Sequence, residues 1–467
     1  MSPKLFATDS VQTFPDFERH VLNLADALRQ RGISLGSRVL LKAGNSAGYL
    51  GTLFALMHLG ASTVLVDHQE HADETRRIAR QAGVKAIVVD DDAPIGDDEA
   101  PIFIYDLHVA AAGRTPSERK LSFEAWSELD DALIMWSSGS TGKPKGIVKN
   151  GGRFLRNLRR NADHMGHHGG DVLLPLLPFS HQYGISMVLI AWLAQCSLVI
   201  APYRRIDRAI RMGIQCGVTV LDATPATYRS LHNIVGKRPA LRDELGGVRM
   251  FCAGAAPLDP ALSDRYVETF GLPLLDSYGS TELGNISFAT VDNPAGCGNA
   301  MAGLAVKIVD DDGNQMPSGE LGEILVDTPD MMEGYLGDDG ALVPVDRGWY
   351  RTNDFGHLDE RGNLFVAGRK LAVHRMGYTL YPEVIERKVA AAGCSARIVA
   401  LPDERRGSQL VFFVEDEERR EARHWRELIA DVLPAYEQPN RVEVLESFPL
   451  NRNGKPDKKR LEKLAVE

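Results

Sequence analysis

A regular exchange of short apolar runs with helical patterns limits the fold more than any other feature. Val21, Leu24, Ala25 and Leu28 fall at i, i+3, i+4 and i+7, one apolar helix face. SRVLLKAG (37–44) is a short strand ended by glycine, 47–60 reads as a helix ended at Gly60, and ASTVLVD (61–67) and KAIVVDD (85–91) are further strands. The pattern recurs from about 172 to 275, with strands at 198–202, 218–223 and 248–254. Strands separated by helices imply α/β architecture, a parallel sheet covered on both faces. The uncharged run Tyr183–Tyr203 is broken by Gly184, Ser186, Gln195 and Ser197 and ended by Pro202, so it reads as a buried helix and strand rather than a membrane span.

After residue 300 the texture changes. Residues 306–327 read as two strands around a turn rich in Asp, Gly and Pro, and 348–368 as short strands with glycine turns. From about 370 a small mixed segment follows, with helices near 382–392 and 419–432 and a strand at 409–414. With 467 residues the chain is too long for one core. A net charge of −10 disfavours a nucleic-acid surface. Five scattered cysteines without CxxC spacing argue against a zinc site or disulfide framework, and no signal peptide is read at the N-terminus, so a cytoplasmic protein is expected.

The strongest local signal is Ser137-Ser138-Gly139-Ser140-Thr141-Gly142-Lys143-Pro144-Lys145-Gly146, directly after the apolar strand ALIMW. Its glycines let the backbone turn sharply and expose N–H groups, and its hydroxyls and lysines add donors and positive charge. A polyphosphate needs all of these. The glycine spacing is not that of a Walker P-loop.

SSGSTGKPKG resembles the signature of the adenylate-forming superfamily, which includes acyl-CoA synthetases, nonribosomal peptide synthetase adenylation domains and luciferases. PFSHQYG (178–184), CAGAAPL (252–258), DSYGSTELG (276–284), GWYRTNDFGHLDERGNLFVAGR (348–369) and PLNRNGKPDKKRL (449–461) resemble five more of its motifs, in family order. The resemblance implies a large N-terminal domain, 1–369, of two wrapped sheets plus a small β-barrel. It also implies a mobile α+β C-terminal domain, 370–467. The implied chemistry is ATP- and Mg²⁺-dependent activation of a carboxylic acid to an acyl-adenylate, followed by transfer to CoA or a phosphopantetheinyl carrier protein.

By the same resemblance, Lys455 bridges the carboxylate and α-phosphate, Thr281 donates to that phosphate, and Glu282 holds Mg²⁺. Ser137, Ser138, Gly139, Ser140, Thr141, Gly142 and Lys145 cradle phosphates. Gly254, Ala255, Ala256, Pro257, Tyr278, Gly279 and Ser280 line the adenine; Tyr278 either stacks on the base or packs in the core. Asp354 and Arg369 take the ribose, and His181, Gln182 and Tyr183 face the acid. Gly377 borders the thiol tunnel. Lys370 is placed at the hinge, although the stretch from Arg369 to Gly377 is one residue shorter than the family pattern.

Amino-acid-activating members hold the α-ammonium with an aspartate shortly after the position of Phe179. Ser180–Ser186 contains no carboxylate, so an acid without an α-amino group is expected. Two other readings stay open: transfer of the adenylate to a non-thiol nucleophile, or a non-catalytic nucleotide-binding protein on the same fold.

Overall fold

A computed structural model describes residues 2–96, 100–137, 145–369, 373–375, 378–403, 407–451 and 454–467. The first sheet has eight strands in the order Leu342–Pro344, Gly334–Leu336, Lys145–Lys149, Leu133–Ser137, Ser62–Val66, Arg38–Lys42, Ala86–Val89, Ile102–Phe103. The last five run parallel, and the first three extend the sheet antiparallel. The second sheet has seven strands: Leu274–Leu275, Met250–Ala253, Val220–Ala223, Val172–Pro175, Ser197–Val199 and Lys4–Phe6, all parallel, with Val11–Thr13 antiparallel at the edge.

One core joins the inner faces of both sheets through the helices Phe14–Gln30, Ala47–His58 and Gln182–Leu193. The expected helix bearing Val21, Leu24, Ala25 and Leu28 is the first of these, capped by Thr13, whose hydroxyl accepts from the Asp16 N–H. The outer face of the seven-stranded sheet has its own apolar cluster, as does that of the eight-stranded sheet. The uncharged run resolves as read, into the buried helix Gln182–Leu193 and the strand Ser197–Val199. Among the described residues no helix is long and apolar enough to cross a membrane.

The small barrel is not formed among the described residues. In its place are a three-stranded antiparallel sheet (Ser277–Ser280, Gly284–Phe288, Asn299–Ala300) and a four-stranded one (Ala305–Val309, Gly322–Asp327, Tyr350–Leu358, Leu364–Arg369). A shared apolar cluster holds them together, with Tyr278 and Ile286 meeting Ile308, Ile324 and Leu364. Two backbone bonds, from the Cys297 N–H to the Leu364 carbonyl and from the Leu364 N–H to the Gly298 carbonyl, add to this packing without forming a continuous ladder. The C-terminal segment is a sheet of Ala396–Asp403, Gly407–Glu415 and Arg441–Leu445, flanked by the helices Pro382–Ala391, Ala422–Val432 and Lys458–Val466.

Two half-buried histidines face each other between helices. His20 Nε2 and His108 Nδ1 are 3.0 Å apart, on the helices Phe14–Gln30 and Ile104–Ala111. Burial, and then the charge of His108, push His20 down to about 4. The unfolded chain therefore binds the extra proton first, and stability is lost as pH falls from 6.5 toward 4. His20→Gln should remove on the order of 1–2 kcal/mol of that loss, read as urea-unfolding free energies at pH 7 and pH 4.5.

Candidate functional site

Three neighbouring parallel strands end along one edge of the seven-stranded sheet. Val220–Ala223 runs into Thr224, Met250–Ala253 into Gly254, and Leu274–Leu275 into the hairpin that begins at Ser277. The carboxyl ends of parallel strands are where open α/β sheets bind ligands. At Gly254 a Cβ would lie 2.6 Å from Ser277 Oγ and 3.0 Å from Tyr183 Cε1, so only glycine fits. Ala255 follows with φ 68°, a left-handed conformation that costs a non-glycine residue on the order of 1 kcal/mol. Ala255 and Pro257 are exposed and Ala256 half-buried, forming a rib beside the hairpin.

The hairpin turn carrying Thr281 and Glu282 is held from several sides. Lys149 Nζ donates to the Thr281 carbonyl at 2.8 Å, and the Met332 N–H donates to the Glu282 carbonyl at 2.7 Å. Asn157 closes a two-way bond with the Asn285 backbone. Lys149 is buried, and burial lowers its pKa to about 8, against the opposing charges of Glu282 and Asp330. Sequence reasoning missed Lys149; the signal was a lysine directly after the apolar pair Ile147-Val148. Tyr278 is buried, and its hydroxyl donates to Asp354 Oδ2 at 2.6 Å, tying the adenine segment to the candidate ribose acceptor. Asp354 stands opposite Arg369 in the strand ladder. Gly279 and Ser280 complete the hairpin's first strand.

Ser137 and Lys145 pair across the hairpin from which the glycine-rich loop departs. Ser138, Gly139, Ser140, Thr141 and Gly142 lie outside the described residues, as do Lys370 and Gly377. The Lys145 ammonium sits 5.1 Å from the Tyr335 ring centroid.

His181 is the N-cap position of the helix Gln182–Leu193, and its Nε2 is 3.4 Å from Asp67 Oδ2. Burial alone would raise the Asp67 pKa; the adjacent His181 ring, the Gln69 N–H donating at 2.9 Å and the charge of Arg204 outweigh it and hold the carboxyl below its usual value. Asn45 stitches the same crossing: its amide donates to the Leu177 carbonyl at 2.7 Å, and its oxygen accepts from the Phe179 N–H at 2.9 Å. Gln182 turns inward, donating to Ser186 Oγ. Tyr183 donates to Asp222 Oδ1 at 2.9 Å. Asp67 and Asp222 lie far in sequence from residues 180–186, the stretch without a carboxylate. Asp67 ends the apolar run ASTVLVD, and Asp222 is the last residue but one of VTVLDA.

The loop that bears Lys455 approaches this edge from the C-terminal segment. It is closed by the Asn451 N–H donating to the Lys455 carbonyl (2.7 Å), by the Lys455 N–H donating to Asn451 Oδ1 (3.0 Å), and by the Asp457 N–H donating to the Pro449 carbonyl (2.7 Å). Gly454, at φ 72°, stands over the strand edge; a Cβ there would be 3.5 Å from Thr224 Oγ1. The loop that bears Lys455 and the segment that begins at Gly254 thus meet at one edge, from which the hairpin bearing Thr281 and Glu282 departs.

Asp222 supplies a measurable signature of that edge. It is 2% exposed, and burial raises its pKa to about 7, moderated by the Tyr183 hydroxyl. Its proton is retained on folding, so its contribution is full below pH 4 and lost as pH rises through 7. Relative to wild type, Asp222→Asn should gain on the order of 2–4 kcal/mol of unfolding free energy between pH 4.5 and 7.5. Parallel curves for the two proteins would show that Asp222 does not titrate there.

The family model for AMP-binding enzymes matches residues 3–336, and that for the AMP-binding enzyme C-terminal domain matches residues 389–455. The chain is 30% identical to the indoleacetate–CoA ligase of Aromatoleum aromaticum over 93% of this chain and 89% of the relative. A crystal structure of ATP-bound MatB from Rhodopseudomonas palustris superposes with a TM-score of 0.87 at 22% identity, covering 100% of this chain and 96% of that one. The o-succinylbenzoate coenzyme A synthetase of Bacillus subtilis in complex with ATP and magnesium ion gives 0.83 at 21% identity, covering 99% and 97%.

Proposed function

The chain belongs to the AMP-binding enzyme family, and on that premise we propose that it joins a carboxylic acid to a thiol through an acyl-adenylate. The observation that carries the reading is the approach of the Lys455 loop to Thr224 at the edge where Gly254 lies and from which the hairpin bearing Thr281 and Glu282 departs. A carboxylate and an α-phosphate are both anions, and a cation delivered between them meets the charge that grows at phosphorus. The acid's oxygen attacks the α-phosphorus of ATP and pyrophosphate leaves. A thiol, of CoA or of a carrier protein's phosphopantetheine, then attacks the acyl carbon and AMP leaves.

In this reading the 137–146 loop and Lys145 take the triphosphate, and Thr281 donates to the α-phosphate. Gly254–Pro257 and Tyr278–Ser280 hold the adenine, while Asp354 and Arg369 take the ribose. Glu282 offers a half-buried carboxylate of the kind Mg²⁺ accepts beside phosphate oxygens, and the ion would offset triphosphate charge. His181, Gln182 and Tyr183 face the acid. The domain boundary falls at 369/370, with Lys370 as the hinge and Gly377 at the thiol entry. The relation to a ligase that by name acts on indoleacetate and CoA supports the acid–thiol chemistry. An acid without an α-amino group remains the preferred substrate: Asp67 is engaged by His181, and Asp222 is buried and keeps its proton up to about pH 7.

Lys455→Ala should lower acid-dependent pyrophosphate exchange by about 10²-fold or more while leaving consumption of a supplied acyl-adenylate nearly intact. Exchange at the wild-type rate would remove Lys455 from the mechanism. Glu282→Gln keeps the shape and removes the charge, so its exchange activity should need on the order of 10-fold more Mg²⁺ for half-saturation. An unchanged Mg²⁺ titration would count against that role. A screen of aryl, short-chain, fatty and α-amino acids in the same assay tests the acid class.

A further inference from the structure

The Lys455 loop belongs to the C-terminal segment, and a helix of the large N-terminal domain touches that segment close to it. The helix Pro225–Lys237 begins at Thr224, the residue Gly454 meets. Five residues later, about 7.5 Å along the axis, Arg229 Nη1 lies 3.0 Å from Glu415 Oε2. Glu415 ends the strand Gly407–Glu415. Its other carboxylate oxygen, Oε1, accepts from the backbone N–H of Phe448 at 2.9 Å. Phe448 immediately precedes Pro449, where the closed loop begins. One turn further along the helix, Asn233 donates to Glu417 Oε1 at 2.8 Å. The Glu415 side chain is 13% exposed, so its charged hydrogen bonds are partly shielded from water and stronger than surface ones.

We propose that Arg229 and Glu415 are positioning residues for Lys455: the Glu415 carboxylate carries the position of the Thr224 helix to the backbone of Phe448, and so sets where the lysine's loop stands at the pocket edge. The role assigned to Lys455 rests on the adenylation reading above. Hydrogen bonds tie Asp457 to Pro449 and Lys455 to Asn451, so a restraint at Phe448 is passed on to Lys455. A misplacement of about 1 Å at a reacting group is enough to cost one to two orders of magnitude in rate.

The test uses the full chain and four variants: Arg229→Ala, Glu415→Gln, their combination, and Arg229→Lys. Hydrogen–deuterium exchange of residues 448–457, without substrates, needs no activity. It should rise in Arg229→Ala and stay near wild type in Arg229→Lys. In acid-dependent pyrophosphate exchange, each of Arg229→Ala and Glu415→Gln should lower kcat on the order of 10-fold with the KM for ATP unchanged. The combination should lose no more than the worse single variant, because both break one link. Consumption of a supplied acyl-adenylate should not fall. Unchanged deuterium exchange in 448–457, or kcat losses that multiply in the combination, would overturn the proposal. Should wild type show no acid-dependent exchange while 448–457 loosens as expected, the adenylation reading fails and the Arg229–Glu415 relay stands.

Discussion

Everything at the site depends on burying the helix Gln182–Leu193. Most of its residues are buried, and its sequence has no polar face to give to water. Such a helix needs apolar neighbours all round, and it finds them between the two sheets, in the core that takes side chains from both. Once it is there, its N-terminus opens at the crevice between the sheets' carboxyl edges. His181 then meets Asp67 from one sheet and Tyr183 meets Asp222 from the other. This wall of the crevice is thus a by-product of a packing requirement, and Asn45 holds the crossing in register.

Much of this was legible in the chain. Glycine-ended apolar strands and the 3.6-residue pattern located the helices and parallel strands, because both periodicities arise from local geometry. The six motifs identified the family on which the comparisons agree. Less legible were contacts that join distant strands. Asp67 and Asp222 look like ordinary strand ends until the fold places them beside residues 181–183. Lys149 reads as one charge among many, yet it is a buried donor to Thr281. The barrel expectation failed because the shared cluster around Tyr278 and Ile308 is apolar contact, which does not specify strand pairing.

In the C-terminal segment the strand Gly407–Glu415 and two helices were readable from apolar content. The strands Ala396–Asp403 and Arg441–Leu445 were not, and neither was the final helix Lys458–Val466. That helix buries only Leu461 and Ala465, too few positions to write a face into the sequence. Its start is instead fixed by Asp457, whose carboxylate accepts from the Arg460 N–H. The cap adjoins the Lys455 loop, so one aspartate both ends the catalytic candidate's turn and begins the last helix.

The borders of the eight-stranded sheet matter to the chain in a crowded solution. An unpaired border presents a row of backbone donors and acceptors to any other extended polypeptide, the usual start of aggregation. Here one border is Leu342–Pro344, three residues long, whose Leu342 and Val343 side chains are exposed. Pro344 has no N–H to offer, and the opposite border, Ile102–Phe103, is only two residues long. A foreign strand laid against either side would gain too few ladder bonds to offset its ordering, so a sheet this wide stays closed to additional strands.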